Sequence, residues 1–163
     1  MTHQSLKCHK AAILLGGHSS RMGGKPKFLL KDGKGQSYLK RQIKALEKAD
    51  RIYLSAADAA QLALIQNVYK DKDCYGLIDV VKDCGPLGGL YTVLQQLKDE
   101  DEWIFVTACD VPELTESMVG SLIQMSADAY EQGYDCMAYQ DSRGRIHPLC
   151  GLYRPSLLPA IQQ

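Results

Sequence analysis

The chain predicts an α/β fold: an open, mainly parallel sheet with helices on both faces and a late β-hairpin. Three observations carry that expectation. Short apolar runs alternate with amphipathic stretches of helical period, as strand–helix–strand units require. Two of the runs, Ala11 to Leu15 and Trp103 to Ala108, are apolar almost throughout rather than alternating, which suits strands covered on both faces. Late in the chain, Tyr134 to Tyr139 and Ile146 to Tyr153 flank Asp141-Ser142-Arg143-Gly144-Arg145, the composition of a tight turn between two strands.

The elements follow in order. Lys10 to Leu15 is the first strand, and a glycine-rich, basic loop leaves it directly. After a polar turn at Lys31 to Gly35, Ser37 caps a helix reaching about Lys48, with Leu39, Ile43 and Leu46 inward. Arg51 to Ser55 is the second strand. A helix from about Asp58 to Val68 turns Leu62 and Ile65 to the core, Asp71-Lys72-Asp73 forms a solvated loop, and Gly76 to Val81 is the third strand. Beyond Gly85-Pro86, the spacing of Leu87, Leu90, Leu94 and Leu97 marks a helix to about Lys98. Gly88 and Gly89 in its first turns cost roughly 1 kcal/mol each relative to Ala, so either a ligand or the sheet comes close there. The acidic run Asp99 to Glu102 reads as a solvated turn before the fourth strand, Trp103 to Ala108. Thr115 caps a helix to about Glu131 with Met118, Leu122 and Met125 inward, and after the hairpin Pro155 opens a last apolar segment, Ser156 to Ile161.

The loop after the first strand draws the most attention. Gly16, Gly17, Gly23 and Gly24 let backbone N–H groups approach an anion, and Arg21, Lys25 and Lys27 add positive charge, so a phosphate-bearing ligand is the natural occupant. Five basic residues (Arg21, Lys25, Lys27, Lys31 and Lys34) against one acidic, Asp32, concentrate that charge locally. A P-loop is excluded, since Lys25 is followed by Pro26 rather than Ser or Thr, and Pro26 also breaks the helix start that a dinucleotide fingerprint needs. Asp110 follows the fourth strand, at the end of the sheet where open α/β folds bind ligands. A single Asp there suits Mg²⁺, which keeps several waters and takes one or two carboxylates, or it caps the next turn.

Composition bounds the alternatives. One domain of 163 residues with 45% hydrophobic and 23% charged residues can bury a sizeable core. Lys plus Arg and Asp plus Glu both number 19, so no global charge draws the chain to nucleic acid or to a membrane. Nor do two Phe and one Trp offer a base-stacking surface. A polar N-terminus, with no run long enough to span a bilayer, points to a cytoplasmic protein. The six cysteines contain no Cys-x-x-Cys pair and read as reduced, mostly buried thiols.

Four motifs in order, Leu-x-Gly-Gly-x-Ser-x-Arg-Met-Gly from Leu14, Gly85-Pro86-Leu87-Gly88-Gly89-Leu90, Cys109-Asp110-Val111-Pro112 and His147-Pro148-Leu149-Cys150-Gly151-Leu152-Tyr153, resemble nucleotidyltransferases of Rossmann-like three-layer fold. Among these the chain is most similar to the molybdenum cofactor guanylyltransferase family. The resemblance implies transfer of GMP from GTP to molybdopterin with Mg²⁺. It places Leu14, Leu15, Gly16, Gly17, Ser55 and Asp79 against the nucleotide, Lys27 and Arg21 on its phosphates, Asp110 on metal and nucleotide, and Gly85, Pro86, Leu87 and His147 on the acceptor side. It gives Cys109 no catalytic role. It also implies transient contact with cofactor-biosynthesis proteins and apo-molybdoenzymes. Pro26 stands where that family commonly has Asp, and Pro26-Lys27 is closer to cytidylyl and sugar-1-phosphate enzymes; Ser55 replaces an Asn of some members. The family usually continues through a further helix, so the expectation is a C-terminally short version. Transfer from CTP or to another phosphorylated acceptor, and nucleotide binding without turnover, are the alternative readings.

Overall fold

The computed structural model describes residues 10–16, 26–69, 73–111 and 113–162. Six strands, β1 (Lys10–Leu14), β2 (Arg51–Ala56), β3 (Cys74–Ile78), β4 (Ile104–Ala108), β5 (Cys136–Gln140) and β6 (Ile146–Tyr153), form one sheet in the order β3-β2-β1-β4-β6-β5. β1 pairs in parallel with β2 and β4, and β2 with β3; β6 runs antiparallel to both β4 and β5, closing the expected hairpin.

Two apolar layers cover the sheet because its central strands are apolar on both faces. On one face Ile13, Leu54 and Phe105 pack with side chains of α1 (Tyr38–Ala45), α2 (Ala59–Val68) and α4 (Glu116–Glu131), such as Leu39, Ile65 and Leu122. On the other, Ala12, Tyr53 and Val106 pack with Leu90, Val93 and Leu94 of α3 (Pro86–Gln96) and Leu158 of α5 (Leu158–Ile161). Each large side chain buried in this way contributes about 1.5 to 3 kcal/mol. The caps expected at Ser37 and Thr115 form, accepting from the N–H groups of Lys40 and Met118 at 3.3 Å each, and Asp58 caps α2 by accepting from the Gln61 N–H at 2.8 Å. No helix among the described residues is long and apolar enough to cross a membrane.

Several expectations are corrected. β3 begins two residues before Gly76 and ends at Ile78, because the register set by β2 (Ile52 opposite Cys74, Ala56 opposite Ile78) carries it no further. Beyond it, the Val80 N–H turns to the Thr92 hydroxyl at 3.0 Å, and Asp83 adopts φ +59°. Leu87 is 51% exposed, because α3 buries its Leu90, Val93, Leu94 and Leu97 side. Met125 is 58% exposed, since the buried stripe of α4 runs Val119, Leu122, Ser126, Ala129. α1 stops at Ala45, short of Lys48. Nor is the run Asp99 to Glu102 simply solvated: Glu100 and Glu102 both hold the Lys10 ammonium group, and Asp101 holds Arg154. Of the described cysteines only Cys109 and Cys150 are buried, whereas Cys84 and Cys136 are exposed.

Candidate functional site

The connections leave β1 toward β2 and β3 on one side and reach β4 on the other, so the chain forks at the carboxyl ends of β1 and β4, where open sheets leave a crevice. Leu14 lies opposite Ala108 in the last paired step, which sets Leu15 and Gly16 beside Cys109 and Asp110. The Cys109 N–H donates to the Leu14 carbonyl at 3.2 Å, extending the ladder past the strand ends. Lys27 opens a short 3₁₀ turn, Lys27–Leu29, whose Phe28 is anchored in the core. Its ammonium group lies 3.2 Å from Asp110 Oδ2, with both side chains about half exposed. A cation and a carboxylate thus meet at the fork, open to a ligand.

Two side-chain amides, one buried and one half-buried, fasten this edge. Gln42, 1% exposed on α1, donates to the carbonyls of Ala108 at 2.6 Å and Val111 at 3.1 Å, so it holds both ends of the turn that presents Asp110. On the other flank, Gln61 of α2 donates to the Leu15 carbonyl at 3.0 Å and accepts from the Ala57 N–H at 2.7 Å, joining the exits of β1 and β2. Sequence reading missed both residues. The only signal was a polar side chain on the buried side of each helix.

Asp79 lies at the exit of β3, where its N–H donates to the Ala56 carbonyl at 2.8 Å. It is 6% exposed, and its Oδ1 accepts from the hydroxyl of Ser55, which is fully buried beneath it. Burial pushes the Asp79 carboxyl above its usual range, opposed by the Ser55 hydroxyl and the nearby Lys82 ammonium group. Gly16 is small because it must be: a Cβ there would come within 2.6 Å of Asp79 Oδ2. Gly88 and Gly89 are explained by close packing, since added Cβ atoms would lie 2.7 Å from the Val81 carbonyl and 2.8 Å from Ser55 Oγ. A hollow of about 370 Å³ opens beside Asp79, lined by Ala57, Asp58, Lys82, Asp83 and Gly85 among others.

His147 opens β6. Cys150 lies opposite Thr107 in an antiparallel pair, so the three residues before Cys150 run past the end of β4 toward the level of Asp110. Its Nε2 is 3.1 Å from Asp141 Oδ2, in the turn of the hairpin. The N–H groups of Arg145 and Arg143 and the His147 ring hold the Asp141 carboxyl below its ordinary value.

The structure therefore gathers Leu14, Leu15, Gly16, Lys27, Ser55, Asp79 and Asp110 along one edge, with Leu14 and Leu15 buried and Ser55 covered by Asp79. Gly85, Pro86 and Leu87 lead into α3, whose Gly89 packs against Ser55 and Leu14, whereas His147 lies in β6 beside Asp141. Lys31 and Lys34 lie apart from the fork. A bridge from Lys31 to Ser37 folds them back to a second hollow with Lys40, Val68 and Tyr69. Gly17, Arg21 and Lys25 are outside the described residues. Cys109 is no nucleophile in waiting, as burial pushes its thiol up to about 11. Among the described residues no group of three or more His, Cys, Asp and Glu side chains gathers to hold a metal.

Comparison with known proteins agrees with the fold. The fold is similar to that of molybdopterin-guanine dinucleotide biosynthesis protein A from Archaeoglobus fulgidus, with TM-score 0.74 and 19% identity over 94% of this chain and 71% of that one. It is also similar to Rv0371c from Mycobacterium tuberculosis (TM-score 0.70, 17% identity, 94% and 75% covered). A third likeness is to the 2-C-methyl-D-erythritol 4-phosphate cytidylyltransferase of Francisella tularensis (TM-score 0.61, 16% identity, 94% and 76% covered). At these identities the likeness bears on the fold, a Rossmann-like α/β nucleotidyltransferase sheet with its antiparallel hairpin. The family assignment comes from the sequence profile of the MobA-like NTP transferase domain, which matches residues 11–163: the chain belongs to that family, within the nucleotidyltransferase superfamily.

Proposed function

We propose that this chain is a cytoplasmic, Mg²⁺-dependent guanylyltransferase that moves GMP from GTP to molybdopterin and releases pyrophosphate. The observation that carries the reading is the Lys27–Asp110 pair at the fork between β1 and β4. The pair supplies a cation for phosphate oxygens and a carboxylate for a hard divalent ion, and neither group has to leave the core to meet a ligand. The Lys27 ammonium group stands at Asp110 where a divalent cation would, so the donor set fits Mg²⁺ held by one carboxylate, phosphate oxygens and waters. Once bound, that ion would offset the charge of the triphosphate and of departing pyrophosphate.

The chain's own residues would do the rest by position and charge. Lys27, turned from Asp110, and Arg21 would neutralise the oxygens around the α-phosphorus, with backbone N–H groups of Gly16 and Gly17 facing the phosphates. Leu14 and Leu15 would form the apolar floor. Asp79 would accept from the base, and guanine offers it two adjacent donors, N1–H and the N2 amine. His147, with Gly85, Pro86 and Leu87, would belong to the acceptor side. A terminal phosphate oxygen of molybdopterin would form its bond to the α-phosphorus as the bond to the bridging oxygen breaks and pyrophosphate leaves with that electron pair. Cofactor-biosynthesis proteins and apo-molybdoenzymes would be transient partners in handing over acceptor and product.

One observation favours a second reading, with CTP as donor: Pro26 precedes Lys27 as in cytidylyl enzymes. Calorimetric titration with GTP, CTP, ATP and UTP, each with and without Mg²⁺, separates the two. GTP binding strengthened by Mg²⁺ and lost in Asp110→Ala, together with loss of Mg²⁺-dependent pyrophosphate release, is the expected result. Preference for CTP would transfer the reading to the cytidylyl branch, and intact transfer in Asp110→Ala would end the mechanism.

A further inference from the structure

We infer that Ser55 is a positioning residue for nucleotide recognition, acting through the Asp79 carboxylate rather than by touching the ligand; the inference rests on the reading of Asp79 as a nucleotide contact. Ser55 is the polar interruption in an otherwise apolar stretch of β2, between Leu54 and Ala56, and it is completely buried. A hydroxyl in such a place costs free energy unless it is paired. Its partner is Asp79 Oδ1, across the parallel register that sets Ser55 opposite Leu77, two residues before Asp79.

The surroundings make that bond directional. A Cβ on Gly89 would stand 2.8 Å from Ser55 Oγ, 3.2 Å from a Leu14 methyl and 3.5 Å from Asp79 Oδ1, so α3 presses its bare backbone against the pair from one side. From the other side, a Cβ on Gly16 would stand 2.6 Å from Asp79 Oδ2. The carboxylate lies in a slot with glycine on both flanks and Ser55 beneath. Its backbone is fixed as well, through the Asp79 N–H to the Ala56 carbonyl at 2.8 Å. What remains is rotation of the carboxylate about its last bond. Donation from Ser55 to Oδ1 stops that rotation and directs Oδ2 to Gly16, at the start of the ligand loop. Ser55 thereby sets the direction in which the other oxygen faces the base, without contacting the base.

The test is a double-mutant cycle read by calorimetric titration of the full chain with GTP and Mg²⁺. Ser55→Cys keeps the side-chain shape with a somewhat larger atom but offers only a weak S–H donor, and Asp79→Ala removes the group being positioned. The expected result is about a tenfold loss of GTP affinity in Ser55→Cys. Asp79→Ala should lose at least as much, and adding Ser55→Cys to it should change affinity by less than about twofold. Unchanged affinity in Ser55→Cys, alongside a loss in Asp79→Ala, overturns the positioning role and leaves the role of Asp79 standing. A tenfold loss that persists in the Asp79→Ala background overturns it too, by revealing general structural damage. Unchanged affinity in Asp79→Ala defeats the reading of Asp79 itself, and absence of GTP binding by the unaltered chain defeats the functional reading beneath both. Should thermal unfolding show that Ser55→Cys does not fold, Ser55→Ala takes its place in the same cycle with the same outcomes.

Discussion

Gln42 carries more of the site's geometry than its residue type announces. Its amide donates to two backbone carbonyls on either side of Asp110, and the Ala108 end of that turn is buried. Gln42→Leu would fill similar volume but remove the shorter bond to each carbonyl, leaving Ala108 only the Val111 N–H at 3.2 Å and Val111 only the Leu114 N–H at 3.4 Å among backbone donors; it should cost about 1 to 2 kcal/mol, seen as a lower urea midpoint. Gln42→Glu should not restore stability, because an ionised carboxylate cannot donate. Asp79 yields a prediction of opposite sign. Burial raises its folded pKa above the unfolded value, so the stability associated with the protonated form is present below the unfolded pKa and is lost as pH rises through the folded one. Asp79→Asn abolishes this dependence: relative to the variant, the unaltered chain should lose thermal stability as pH rises above about 4. At this scale Lys27 and Asp110 were legible, since a loop basic residue and an Asp ending an apolar run stand out by type. Gln42 and Gln61 were not. Their partners are mainly backbone groups, which have no identity in a sequence, and only the folded chain brings them within reach.

Among the elements, α3 shows how far pattern reading goes. Leucine spacing located the helix, and two glycines in its first turns demanded a close neighbour without saying which. Packing supplies it: the Val81 carbonyl faces Gly88, and Ser55 faces Gly89. Gly88→Ala gains roughly 1 kcal/mol of helix propensity yet drives a methyl against backbone that cannot move aside. Net destabilisation by about 1 to 2 kcal/mol is expected in denaturant titration, and a stabilised variant would show that the loop at Val81 yields. β3 was misplaced for a related reason. Gly76 looked like a strand boundary, but it lies mid-strand because the Leu62 side chain of α2 packs onto it. The apolar run that seemed to continue the strand instead leaves Val80 63% exposed at a bend. The β5–β6 hairpin was legible because its turn is made locally: Asp141 accepts from the N–H groups of Arg143 and Arg145 at 2.9 and 3.0 Å, and Gly144 takes φ +79°.

Across the whole molecule, charge gathers at the start of β4 as well as at the fork beyond its other end. Arg154 pairs with Asp101 and Asp135 while its guanidinium lies 5.7 Å over the Trp103 ring and 4.4 Å over Tyr130, tying α4, β5 and β6 to the start of β4. Arg154→Met should lower the melting temperature by several degrees, through lost packing as much as lost charge. The Asp101 carboxyl is held below its ordinary value first by Arg154 and then by Tyr130, so this stabilisation is present above the unfolded pKa and fades as pH falls through the folded one. The stability gap between the unaltered chain and Arg154→Met should therefore narrow in acid, below about pH 4, to the part that packing contributes. None of this was visible in Asp99 to Glu102, where a charge run reads as solvent-facing until its partners from the two ends of the chain are placed. The placing of β1 between β2 and β4 has a consequence in time. On the ribosome β1, β2 and β3 are synthesised and free to pair well before β4 emerges, and during that interval one edge of β1, Ala11 to Leu14, has no neighbour. A nascent chain stalled ahead of Ile104 should be sensitive to protease and retained by chaperones, and one stalled beyond Tyr153 should be released from both. The strand that organises the finished sheet is thus the one left longest incomplete during its synthesis.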